Sequence, residues 1–216
     1  MKKSIKNNTE SLGGRLKGLE ADYETRIESE KHIIVRIDGH KFSKFTKGFK
    51  KPFDDILSKA FELTSLDLAK EYQAVCVYQQ SDEITLIIPS LMTKENHKGT
   101  NKALWEHSYG GRVQKMCSLI AGYTTMRFNK HLGDIANEYY EMNITSYTEQ
   151  EDIDYILNIQ NNKVGNAYFD TRMYGVDSDE EAFNSVMWRI RDCIKNSKSL
   201  WSQATLAKYY MEQSNS

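Results

Sequence analysis

The chain has 216 residues, 39% of them hydrophobic and 27% charged, with a formal net charge of −1. That composition is ordinary for a soluble globular chain with one sizeable core, and it excludes a chain-wide basic character for gripping nucleic acid. No run approaches the roughly 18 apolar residues needed to span a bilayer, and the basic N-terminus has no apolar stretch behind it; the expectation is a cytoplasmic protein with no signal peptide and no membrane association.

Leu12, Leu16, Leu19, Tyr23 and Ile27 step at three and four and predict an amphipathic first helix. A β run, His32-Ile33-Ile34-Val35-Arg36-Ile37, then leads into Asp38, where Gly39 allows a tight turn. Lys41, Lys44, Lys47, Lys50 and Lys51 follow at nearly every third position, a local basic patch beside the strand end. Pro52 and Asp54 open a helix whose apolar face is Leu57, Phe61, Thr64, Leu68 and Tyr72.

Two further β runs, Ala74–Tyr78 and Ile84–Ile88, flank Ser81-Asp82-Glu83, the signature of a hairpin. A polar loop over 90–107 precedes Tyr109-Gly110-Gly111-Arg112, which opens a helix marked by Val113, Met116, Cys117, Ile120, Tyr123 and Thr124. Residues 129–165 read poorly, as an insertion with a short helix from Thr148 through Leu157. A strand follows at Ala167–Tyr174. Ser178 and Glu181 form a capping box for a helix with Phe183, Met187, Ile190 and Ile194 on one face, and a final helix covers Leu200 to Met211. Cys76, Cys117 and Cys193 read as buried free thiols of a reducing compartment, and no spacing supports zinc.

The core order is β-α-β-β-α-β within one α+β domain over residues 1–216, with helical extensions at both ends. It matches the ferredoxin-like arrangement, in which strands 1 and 3 are central neighbours. Asp38 and Asp82 then land at one sheet edge. Two such carboxylates suit magnesium, which takes oxygen ligands and commonly holds phosphate as well; a pair of these ions can clamp both oxygens of a phosphoryl transfer.

The ordered motifs Leu12–Lys17, Arg36-Ile37-Asp38-Gly39, Phe42, Phe45-Thr46, Lys51-Pro52-Phe53-Asp54 and Gln80-Ser81-Asp82-Glu83 resemble the tRNA-His guanylyltransferase superfamily. Gly110-Gly111-Arg112 with Lys115, Phe169-Asp170-Thr171-Arg172, and Trp188-Arg189 with Asp192 and Asn196-Ser197 continue it over residues 12–200. The Asp192–Ser197 stretch is similar to the Thg1-like branch. His40 stands where arginine is common, Gly14 where an acidic residue is usual, and relatives often continue past the end of this chain, so it is either a short relative or a truncated one.

The resemblance implies a palm domain like that of polymerases and nucleotide cyclases. It implies template-dependent 3′-to-5′ addition to the 5′ end of tRNA, after activation by ATP or GTP, in a homotetramer built as a dimer of dimers. Asp38, Asp82 and the Gly39 carbonyl would bind two magnesium ions. Glu83 would orient metal waters, or be a solvated strand residue. Gly39, His40, Lys41, Phe42 and Ser43 would cradle a triphosphate with help from Ser81, and Lys51 would serve activation of the 5′ end. Arg112 and Lys115, at i and i+3, could hold one phosphate. Arg172, Arg189 and Asn196 would reach RNA, with Trp188 packed in the core. Alternatives are single-G addition to tRNA-His, a palm-fold nucleotide cyclase or signalling nucleotidyltransferase, and an RNA-binding module without chemistry.

Overall fold

The computed structural model describes residues 11–51, 53–91, 106–145 and 150–214, with the side chains of 143–145 and 198–214 outside the description. Pro52, most of the polar loop and the start expected at Thr148 lie outside these residues. Helix α1 is Leu12–Ala21, and strand β1 is His32–Gly39. A four-residue helix α2 (Phe42–Phe45) and the long α3 (Asp55–Glu71) lead to the hairpin β2 (Cys76–Gln80) and β3 (Glu83–Ile88). After them come α4 (Val113–Thr145), α5 (Gln150–Asn162), β4 (Phe169–Val176) and α6 (Asp179–Ser214).

The strands form one sheet in the order β2-β3-β1-β4, each neighbour antiparallel. The chain is therefore a mixed helix and antiparallel-sheet fold with β1 and β3 central, as expected. The apolar run of β1 is continuous because both its faces are covered. Ile33, Val35 and Ile37 join Ile84 and Leu86 in the main core with Ala60, Phe61 and Leu68 of α3 and Ile120, Phe128 and Leu132 of α4. Ile34 and Ile87 face the other way, against Ala182 and Val186 of α6.

Several expectations are corrected. Helix α1 stops at Ala21, and its leucines stay exposed, Leu12 at 66%; only Ile27, beyond the helix, is buried. The unreadable stretch opens with the second half of α4, whose buried stripe continues through Phe128, Leu132, Ile135 and Ala136. On α6 the small residues Ala182 and Val186 are buried while Phe183 and Ile194 are exposed, because a helix lying close on a sheet admits little bulk. That helix is continuous through the two segments read as separate. The cysteines are free but half-buried.

Polar contacts tie the helices together. Asp54 caps α3 by accepting from Leu57 N–H at 2.9 Å, and it also receives the Tyr155 hydroxyl of α5. Burial and the Asp54 carboxylate push the Tyr155 phenol up. Between α3 and α4, Asp67 accepts from Arg127 Nε at 2.5 Å and pairs with His131 Nε2 at 2.6 Å.

Candidate active site

The face of the sheet under α6 is ordered in rows by the ladder register. Ile87, Ile34 and Tyr174 form one row, and Thr85, Arg36 and Arg172 the next. Glu83, Asp38 and Asp170 form the third. Rows of one face are two residues apart, roughly 7 Å. The face thus passes from apolar, under α6, through basic to acidic at the end of β1.

Asp82 reaches this end through the hairpin. Gln80 pairs with Glu83, which leaves Ser81 and Asp82 as a two-residue turn with Ser81 left-handed at φ 52°. Gly39 N–H donates to the Asp82 carbonyl at 3.0 Å, and this bond pins the end of β1 to the turn. Ser81 Oγ donates to Asp82 Oδ1 at 3.0 Å. Gly39 must lack a side chain, because a Cβ there would stand 2.2 Å from the Phe42 ring.

The acids are not equivalent. Burial, then the charges of Asp82, Asp170 and Glu83, push the Asp38 carboxyl above its usual range, and Arg172 opposes them only weakly from 3.9 Å. Glu83 is in the opposite state. Burial would raise it, but Arg189 and Arg36 outweigh burial and hold it low. Arg189 donates to it through Nε at 2.5 Å and Nη2 at 2.8 Å, and Arg36 through Nη2 at 2.9 Å. Both guanidiniums lie over the Trp188 ring, at 4.7 and 5.1 Å. Glu83 is therefore neither a solvated residue nor an open ligand; it is a half-buried bridge between the hairpin and α6. Trp188 is 52% exposed, not core.

The other expected residues divide by location. Phe42 is buried, while Lys41, Ser43 and Lys51 are exposed. Gly39 and His40 already spend their N–H groups on Asp82 and Tyr168, so a phosphate cradle of successive N–H groups can begin only at Lys41, itself left-handed at φ 54°. Arg172 joins Asp38 and Asp170, with Nε 3.6 Å from Asp170. Asn196 donates to Asp192 at 3.3 Å.

Arg112 and Lys115 are not brought to the acids. Residue 113 is anchored to Thr25, whereas Thr125, roughly 18 Å further along α4, meets Phe169 beside Gly39. Arg112 is 3.3 Å from Glu24, and Lys115 lies over Tyr109. Sequence reasoning gave Arg36 no role, although a charge inside an apolar strand needs a buried partner. Tyr168 left no signal.

The residues fit a magnesium site. Among the described residues no three His, Cys, Asp or Glu side chains converge on one point. With Glu83 neutralised by arginines, Asp38 and Asp82 remain as an under-compensated pair of hard oxygen donors. Magnesium takes one or two protein carboxylates and completes its shell from phosphate and water.

A family profile described as tRNAHis guanylyltransferase (Thg1) matches residues 13–177. The chain belongs to the Thg1 family, on its Thg1-like branch. An uncharacterized protein of Acanthamoeba polyphaga mimivirus is 34% identical over 190 residues, which is 87% of this chain; the chain spans 60% of that relative's length. A bacterial Thg1-like protein solved in complex with GTP has TM-score 0.66 and 30% identity, covering 90% of this chain and 77% of its own. One in complex with ATP has TM-score 0.65 and 31% identity, covering 90% and 71%. The Saccharomyces cerevisiae tRNA(His) guanylyltransferase shares the fold at TM-score 0.51 and 21% identity, covering 81% and 64%. Among the described residues no helix is long and apolar enough to cross a membrane.

Proposed function

We propose that this chain is a palm-type nucleotidyltransferase that adds nucleotides to the 5′ end of tRNA, in the 3′-to-5′ direction and following a template. The observation that carries the reading is the Gly39–Asp82 hydrogen bond, which gathers Asp38 and Asp82 at one end of the sheet in a field of excess negative charge. Asp38, Asp82 and the Gly39 carbonyl would hold two magnesium ions. Bound there, the ions supply charge neutralisation and Lewis-acid polarisation of phosphate oxygens.

The chain's own residues do the rest. Glu83 fixes the hairpin against α6 through Arg36 and Arg189, so the aspartates keep their spacing. Lys41 to Ser43 orient the triphosphate of GTP or ATP, and exposed Lys51 offers a point charge to the activated 5′ end. Arg172, 64% exposed at its side chain, is free to exchange its loose contacts with Asp38 and Asp170 for a phosphate of the RNA. The Thg1-like proteins bound to GTP and ATP support nucleotide use. We also propose a homotetramer; the exposed leucines of α1 supply apolar surface for it.

The test is a panel of 5′-monophosphate tRNAs truncated at the 5′ end, with the opposing base varied, incubated with ATP, GTP, the other nucleoside triphosphates and magnesium. Addition that follows the opposing base is the expected result. G added whatever the template supports the tRNA-His reading, and product formed without RNA supports a cyclase. Asp38→Ala and Asp82→Ala abolish addition; turnover retained in either overturns the metal assignment.

A further inference from the structure

Beyond the acid row the same sheet face carries one more pair of side chains, used by neither the core nor the proposed metal site. His40 N–H donates to the Tyr168 carbonyl at 2.9 Å, carrying the β1–β4 register one step past Gly39 and Phe169. Alternation places both side chains on the face of Asp38 and Asp170. The rings stack with centroids 4.7 Å apart at an interplanar angle of 25°. Tyr168 is 51% exposed although its neighbours Ala167 and Phe169 are buried. Its backbone is thus fixed on both sides while its ring is open, so a ligand finds a flat surface whose ordering cost is already met.

The sequence of rows says what that ligand is. Basic Arg36 and Arg172, acidic Asp38 and Asp170, and aromatic His40 and Tyr168 follow one another at steps of roughly 7 Å. A nucleotide presents matching chemistry in one molecule: a phosphate for the acid row through its cation, and a base for the aromatic row. We propose that the His40–Tyr168 pair is a stacking platform for the terminal nucleobase at the 5′ end of the RNA, seated with its 5′ phosphate at Asp38. The assignment rests on the proposed function for the identity of the reaction.

The RNA end fits this platform better than the incoming triphosphate does. Strand β4 is an edge of the sheet, and although α4 covers its backbone at Ala167 and Phe169, the half-exposed Tyr168 ring leaves a base stacked on it open to the rest of the RNA. The triphosphate segment instead turns back from His40 onto the opposite face, where Phe42 packs on Phe61, Phe128 and Phe169. Stacking on an aromatic side chain tolerates any base. A templated enzyme needs that tolerance, since its 5′-terminal base changes with every addition.

The test uses the full chain and a tRNA carrying 2-aminopurine as its 5′-terminal base, in calcium without nucleoside triphosphate, so that binding is read without turnover. The wild type quenches the fluorophore. Tyr168→Ala abolishes the quench and weakens tRNA binding about 10-fold, Tyr168→Phe restores both, and GTP affinity changes less than about twofold. Quenching that persists in Tyr168→Ala, absent quenching in the wild type, or a loss confined to GTP affinity overturns the platform. Templated addition with a Tyr168-independent quench sinks this inference alone; a Tyr168-dependent quench with no nucleotide addition sinks the proposed function alone.

Discussion

Asp38 and Glu83 are direct cross-strand partners in the β1–β3 ladder, and their carboxyl groups are driven in opposite directions. One stands among like charges; the other is gripped by Arg36 and Arg189. Neutralising each therefore has opposite effects on stability. Asp38→Asn removes a repulsion and raises the urea midpoint at neutral pH, while nucleotide addition falls at least ~100-fold, since even partners outside the metal shell account for 10–100-fold. Glu83→Gln leaves Arg36 without its counter-charge and Arg189 with Asp192 alone, and costs about 1–3 kcal/mol. Paired urea titrations check the signs; a drop in both midpoints contradicts the electrostatic assignment.

The raised Asp38 pKa sets the direction of a pH effect on the metal. In the proposed site magnesium would compete with the proton for Asp38, so affinity is expected to be full above the raised pKa and lost as pH falls through it. The loss begins at higher pH than the ordinary carboxylate range near 3.8 predicts. Asp170→Asn removes one of the charges that raise Asp38 and moves the transition to lower pH. Calorimetric titration with magnesium across pH, for the wild type and this variant, measures both.

Stability itself responds to pH with a sign fixed by Glu83. Its folded pKa lies below the ordinary glutamate value, so the arginine bridge stabilises fully above that value and is lost as pH falls through the lower folded pKa. In Glu83→Gln this part of the acid-induced loss disappears. Chemical denaturation midpoints at several acidic pH values compare the two proteins; identical acid slopes would show that the bridge does not carry the dependence.

Much of this site was legible because its signals are local. The apolar run into Asp38 and the two-residue turn at Ser81-Asp82 specify strand and hairpin without help from distant residues. The role of Glu83 was not legible, since Arg189 lies 106 positions away and only the packing of α6 joins them. The α6 face misled for a related reason. Phe183, Met187, Ile190 and Ile194 have helical spacing, and Ile190 does pack against the sheet, but Phe183 and Ile194 stay exposed while Ala182 and Val186 are buried. The leucines of α1 keep the period of a buried stripe and remain exposed. Periodicity reports that a face is apolar, not what covers it.

The Asp67 cluster separates stability from chemistry. Arg127 and His131 meet its carboxylate across α3 and α4, and although burial raises its pKa, their hydrogen bonds prevail and lower it. Asp67→Asn costs about 1–3 kcal/mol by leaving the arginine without a counter-charge. Thermal unfolding records the loss, while nucleotide addition per folded molecule stays at the wild-type rate. A selective fall in that rate would place the cluster in the reaction.

Gly39→Ala tests the joint between core and site. The added methyl would meet the Phe42 ring, which is buried against Phe45, Phe61, Phe128 and Phe169 and has little room to retreat. Overpacking of this kind costs about 1–3 kcal/mol. The same strain tilts the end of β1 away from Asp82 and weakens the Gly39–Asp82 hydrogen bond. Addition therefore falls by more than the folded fraction does. Adding Phe42→Leu makes space for the methyl and recovers part of both losses, so a double-mutant cycle reads the coupling. Strictly additive effects would show that Phe42 is not what requires glycine at this position.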